Sequence, residues 1–302
     1  MKNIFLFGAG ASGGSAHILP EPPPLGSNLF GKLRDRFPSV WGNLPEEFSL
    51  CFQGDFERGM FKVMESGNHW IGPLMQTMTI FFASFVPDQS RSDLYSLLLS
   101  EVQKKGLIQQ TLFSTLNYEC LLEFAANQVG LKIQYGDVPS PPDSAAVWKL
   151  HGSCNFIPDP KTVTMRRSAS YAWSMQINAP LIYVSPAEAA AWVQGDNALY
   201  PAMCMFTLNK PSQISPAVFE ACQKKWADLI SSSEKVFVVG VRPHLVDTHI
   251  WGPLGSTGAK VYFIGSRSHF DYWLPKRTGG ETRYLEETFE KAIERIAEEL
   301  SS

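Results

Sequence analysis

Metal-ligand spacing is missing from this chain. Its five cysteines, Cys51, Cys120, Cys154, Cys204 and Cys222, contain no CxxC pair, which argues against a zinc ribbon. Their odd number and wide spacing argue against a disulfide framework and predict a reducing, cytoplasmic compartment. His17, His69, His244, His249 and His269 show no HExxH-like spacing, so no metal is expected. His244 and His249 read as surface or supporting residues.

Charge of one sign is not in excess either. Twenty-six Lys and Arg against 29 Asp and Glu give a net charge of -3 and a pI of about 6.1. That balance provides no general attraction to nucleic acid or anionic lipid. Long apolar runs are absent: Ile4 to Phe7 is too short for the core of a signal peptide, and "TIFFASFV" falls far short of a membrane span. There is no internal repeat and no low-complexity tract.

What remains is an ordinary globular composition, 44% hydrophobic and 18% charged, over 302 residues, enough to bury a full core. Strand candidates are "NIFLF", "QTLFSTL", "KIQYG", "AVWKLH", "LIYVS", "KVFVVG" and "KVYFIG". Several are continuous apolar runs, which suits strands covered on both faces. Helical patterns alternate with them. Leu25, Leu29 and Leu33 recur four apart; Leu121, Leu122, Ala125 and Val129 share a side, with Gly130 as a stop. Ser215 and Pro216 open another helix, and "RYLEETFEKAIERIAEEL" places Leu285, Phe289, Ala292, Ile293, Ile296 and Leu300 on one stripe, with Glu287 and Lys291 as an i, i+4 pair. The alternation predicts a single α/β domain: a Rossmann-like, mainly parallel sheet with helices on both faces. Residues 40–105 read as a helical insertion, with Trp70, Phe81, Phe82 and Phe85 as its core rather than an interface. Residues 152–214, rich in Pro, Ser and Ala, read as a lid or small subdomain.

Three short segments carry the chemistry. Directly after the first strand, Gly8-Ala9-Gly10-Ala11-Ser12 lets backbone approach a ligand closely and suits a pyrophosphate, with the Ser12 hydroxyl as a further donor. Its spacing departs from the usual dinucleotide fingerprint, since Gly13 and Gly14 are followed by Ser15. Asn117 closes an apolar strand, where an amide can orient a ribose hydroxyl or a water, or cap the next helix. His151 repeats that arrangement ahead of Gly152-Ser153 and can act as a base near neutral pH. No acidic ribose-binding residue follows the glycine loop at the dehydrogenase distance, because Glu21 lies too early in a proline loop.

Taken in order, "FGAGAS", "PPLGSNL", "STLNYECLLE", "WKLHGS" and "VFVVGVRPHLVDTHIW" resemble the sirtuin-like domains of prokaryotes, closest to the zinc-free branch of antiphage defence systems. The resemblance implies an NAD-binding domain that cleaves NAD to nicotinamide and ADP-ribose and depletes the infected cell. It implies that Asn117 orients the nicotinamide ribose and a water, that His151 acts as base on a ribose hydroxyl, and that Gly8 to Ser12 hold the phosphates. Glu119, one methylene longer, stands where the family has an Asp that contacts nicotinamide, and is expected among the cofactor-binding residues. Gly240, Arg242 and Ser266 fall where further cofactor contacts are expected, although "GVRPHLVD" replaces the family's Gly-Thr-Ser type motif; Arg242 meets a phosphate or pairs with Asp247. The family's arginine after "PLG" and its zinc cysteines are absent, which weakens a protein deacylase reading. A non-catalytic NAD or ADP-ribose sensor is the other alternative. A toxic hydrolase must be held off, so homo-oligomerisation or a separate activating subunit is expected, with nucleic acid reached only through such a partner.

Overall fold

A computed structural model describes residues 1–15, 17–66, 69–136, 138–167, 175–195, 199–204 and 212–301. Seven strands form one parallel sheet. In chain order they are β1 (Asn3–Phe7), β2 (Thr111–Thr115), β3 (Lys132–Tyr135), β4 (Ser144–Lys149), β5 (Lys235–Val239), β6 (Lys260–Ile264) and β7 (Thr282–Glu286). Their order across the sheet is β7-β6-β5-β1-β2-β4-β3. The chain moves outward from β1 in one direction and returns on its other side, so the topological switch lies over β1. In open parallel sheets that is where ligands bind, at the carboxyl ends of the strands.

Alternation within the buried strands creates two apolar layers. Phe5, Phe7, Phe113, Phe237, Val239 and Tyr262 face one side, and Ile4, Leu6, Leu112, Val236, Val238 and Phe263 face the other. Register is fixed by a ladder of rings across four strands. Phe113, Phe5, Phe237 and Tyr262 sit at paired positions, with centroids 5.6, 4.7 and 4.8 Å apart and planes within 14° of parallel. Such contacts contribute roughly 0.5–1.5 kcal/mol each beyond area burial, and a one-residue slip would turn every ring to the wrong face.

The first layer is covered by α1 (Ala9–Gly13), α2 (Gly26–Arg36), α3 (Glu46–Gly54), α4 (Phe56–Glu65), α5 (Ile71–Ala83), α6 (Leu94–Lys104) and α7 (Leu121–Gln128), joined at the end of the chain by α12 (Phe289–Ser301). Phe81, Phe82 and Phe85 are buried in this layer and Trp70 packs against it, as expected of core. A helix α8 (Pro186–Gln194) packs on α5. The second layer is covered by α9 (Pro216–Ser232), α10 (Thr248–Ser256) and α11 (Arg267–Trp273), through Trp226, Trp251 and Trp273. Among the described residues, no helix is long and apolar enough to cross a membrane.

Three expectations are corrected. The segment assigned wholly to the last helix is divided: Thr282–Glu286 is the edge strand β7, paired with β6, and α12 begins at Phe289. Leu285 is therefore buried as a strand residue, because pairing with β6 outweighs its helical spacing. Leu181–Tyr183 is a strand but lies outside the sheet, antiparallel to Phe156–Pro158. Ser215 precedes α9 without capping it; its hydroxyl donates to the Ala179 carbonyl at 2.6 Å. Between residues 152 and 214 the described elements are small two-stranded pieces and α8; residues 168–174, 196–198 and 205–211 lie outside the described residues.

The turn after β1 meets the end of β5 backbone to backbone. Gly10 N–H donates to the Gly240 carbonyl at 2.9 Å. Gly240 has φ +64, and a β-carbon there would stand 2.1 Å from the Ala11 nitrogen. Gly240→Ala is therefore expected to lower stability by at least about 2 kcal/mol, from a positive φ and a backbone clash together. Gly31→Ala, in α2 with open space around it, should raise stability by roughly 0.5–1 kcal/mol. Urea unfolding of both variants measures the contrast.

Candidate functional site

Register gathers the predicted residues at one edge. Phe7 pairs with Val239 on one side and Thr115 on the other, and Thr115 pairs with Lys149. Gly8 and Gly240 thus leave the sheet one residue beyond a paired position. Asn117 and His151 each lie two residues beyond another. Ser266 follows β6 at the same edge, two beyond Ile264, which pairs with Val239.

Asn117 ties the turn to β2. Its Nδ2 donates to the Gly8 carbonyl at 3.1 Å and to Ser12 Oγ at 3.0 Å. The Gly8 carbonyl can only accept, so it fixes which end of the amide points inward and leaves Oδ1 as the acceptor for other groups. Asn117 does not cap α7. Glu119 supplies that contact, its Oε2 accepting from the Leu121 amide at 2.8 Å.

The Ser12 hydroxyl is fully occupied inside the protein. It donates to Glu119 Oε1 at 2.5 Å, and its two lone pairs face the Tyr95 hydroxyl at 2.8 Å and Asn117 Nδ2. A serine hydroxyl has one proton and two acceptor sites, so the expected donation to a ligand is replaced by a buried polar joint. Glu119 is likewise buried, with both oxygens engaged, and it braces the turn instead of facing outward. Within the turn, the amides of Gly8, Gly10 and Ala11 bind the carbonyls of Val239, Gly240 and Gly8. The amide of the exposed Ala9 has no partner among the described residues.

Lys149, at the end of β4, holds this joint from below. Its side chain is wholly buried, lies 3.0 Å from Glu123 Oε1, and donates to the backbone carbonyls of Glu119 and Asn117. Burial pulls its pKa down, but Glu123 and neighbouring groups outweigh that and the net direction is upward. Burial lifts the Glu123 carboxyl above its ordinary range.

His151 is 5% exposed, and its Nε2 stands 2.9 Å from Nε2 of His249 near the start of the half-buried first turn of α10. One of these nitrogens must carry the proton and the other its lone pair. Sequence reasoning set His249 aside. The two imidazoles are 98 residues apart, and no local spacing links them. Lys149, Glu123 and Tyr95 were also missed; a lysine closing an apolar strand was the one visible signal.

Arg242 is exposed and makes no ion pair with Asp247 or any other described residue; its charge helps hold His269 below its ordinary pKa, after burial. Ser266 Oγ contacts Ser268 Oγ at 2.8 Å. Cys120 and Cys154 approach to 3.8 Å between sulfurs, both free thiols, despite their sequence separation. A cavity of about 660 Å³ is lined in part by Gly14, just beyond α1, and one of about 230 Å³ in part by Lys149; neither is lined by Asn117 or His151. Comparisons with protein-family models and with curated proteins find no match.

Lys149→Met leaves Glu123 buried beside Tyr135 without its cation, and should cost about 3–5 kcal/mol of stability. Because burial already favours the protonated carboxyl of Glu123, the deficit relative to the parent should shrink as pH falls from 7 towards 5. Adding Glu123→Gln should recover much of the loss at pH 7. Urea unfolding across that pH range is the measurement.

Proposed function

We propose that this chain is an NAD glycohydrolase that releases nicotinamide and ADP-ribose at the carboxyl edge of its sheet. The observation that supports this most strongly is the junction of Asn117 with the Gly8–Ser12 turn, beside the strand end that carries His151. A pyrophosphate would meet the open Ala9 amide, with the exposed Arg242, two residues beyond Gly240, as a cation. The turn's small residues keep side chains out of its path.

The reaction breaks the bond between the ribose anomeric carbon and the nicotinamide nitrogen, whose electron pair leaves with nicotinamide. A water oxygen forms the new bond to that carbon and releases one proton. Asn117 Oδ1 accepts a hydrogen bond from this water and orients it. His151 acts as base through a ribose hydroxyl, and His249, the more exposed imidazole of the pair, passes the proton towards solvent. No metal is needed for these steps.

The resemblance in motifs implies a place in antiphage defence, with activity gated by self-assembly or by another subunit. Incubation of the purified chain with NAD, with and without co-expressed genomic neighbours, tests the reading by release of free nicotinamide. Asn117→Ala and His151→Ala should each lower turnover by roughly 100- to 10,000-fold. Binding of NAD without any nicotinamide release, in every assembly tried, would replace the hydrolase with a sensor.

A further inference from the structure

A groove of about 660 Å³ runs between α6 and α12 and reaches Gly14, just beyond α1. Its apolar part comes from Leu94, Leu97, Ile293 and Ala297, with Leu97 42% exposed. Its polar part is mainly acidic. Asp93, Glu101, Glu290, Glu294 and Glu298 line it together with His17 and Ser92, and neither Lys nor Arg does.

Two features make this more than an acidic surface. Glu290, Glu294 and Glu298 recur every four residues along α12, so successive carboxylates stand about 6 Å apart. None of the three enters an ion pair among the described residues, whereas Glu101 is paired with Lys104 at 2.5 Å. Asp93 supplies the second feature. It is 2% exposed and its Oδ1 caps α6, accepting from the amides of Tyr95 and Ser96 at 2.8 and 3.2 Å. Its Oδ2 is buried and has no hydrogen-bond partner. A buried oxygen in that condition is costly to leave unpaired, and a donor entering from the groove relieves it.

We propose that this groove binds a linear alkyl polyamine in its protonated form. Extended three- and four-carbon spacers place ammonium groups on the order of 5–6 Å apart, matching the carboxylate row. The methylenes between them cover Leu97 and Ile293, and a terminal ammonium donates to Asp93. A divalent metal suits the groove less well. Its oxygen ligands must converge within about 2–2.6 Å of one point, whereas these carboxylates are spread along a helix, and no metal-holding cluster occurs among the described residues. A basic helix suits it less well too, since the volume holds roughly one turn of a cylinder 10–12 Å wide.

Isothermal titration of the full chain with spermidine at low salt tests the site. One saturable equivalent is expected. Glu290→Gln/Glu294→Gln/Glu298→Gln should weaken it at least tenfold. Glu46→Gln/Glu47→Gln/Asp228→Asn, which changes net charge equally on other exposed surfaces, should leave it unchanged. All six positions are exposed, so both variants should fold, and circular dichroism checks this. Absence of saturable binding, equal weakening in both variants, or equal displacement by magnesium at matched charge would overturn the proposal. Tighter competitive binding of a basic amphipathic peptide would assign the groove to a protein segment instead.

Discussion

At the end of β1 the backbone passes so close to the end of β5 that no β-carbon fits between them. Added carbons at Gly8, Gly10 or Gly240 would fall 2.1 to 2.9 Å from the opposing backbone. This contact sets the position of everything at the sheet's carboxyl edge. With the Gly10 amide held by the Gly240 carbonyl, Gly8 presents its own carbonyl to Asn117, and Ser12 turns its hydroxyl inward to Glu119 and Tyr95. The small residues are required first by the packing of protein on protein.

The polar joint beneath the turn has a corresponding logic. Ser12, Glu119, Tyr95 and Asn117 satisfy one another, and Lys149 closes the assembly on the carbonyls of residues 117 and 119. Buried networks of this kind are stable when complete and costly when any member is lost. Completeness here holds the Asn117 amide in one orientation. Preorganisation of that sort is what a site needs when its chemistry depends on placing a water rather than on forming a covalent bond. The His151 and His249 imidazoles meet at the same edge, their two Nε2 atoms 2.9 Å apart and sharing one proton.

Much of the fold was legible in the sequence, for reasons visible in particular strands. β1, β5 and β6 are continuous apolar runs with little that can be read as anything else, and the structure pairs them in parallel with both faces covered. Gly130, expected as a helix stop, has φ +78 just beyond α7. β7 was hidden because "RYLE" runs into a strong amphipathic helix, and its strand character depends on the neighbouring edge of β6. In the site, Asn117 and His151 could be singled out because each follows an apolar strand. Their proximity to His249, Tyr95 and Lys149 could not, because those contacts depend on register between strands distant in sequence. Ser12 and Glu119 illustrate a different gap: the Ser12 hydroxyl was expected to donate to a ligand and Glu119 to contact the cofactor, whereas burial turned both into braces.

The central claim is that a dinucleotide lies across the turn after β1, between Asn117 and the end of β5. A crystal structure of the chain with ADP-ribose tests it most directly. The pyrophosphate should lie within hydrogen-bond distance of the Ala9 amide, with the ribose beside Asn117 Oδ1 and on the His151 side of the edge. ADP-ribose bound at another surface while the Gly8–Ser12 turn stays uncontacted would contradict it.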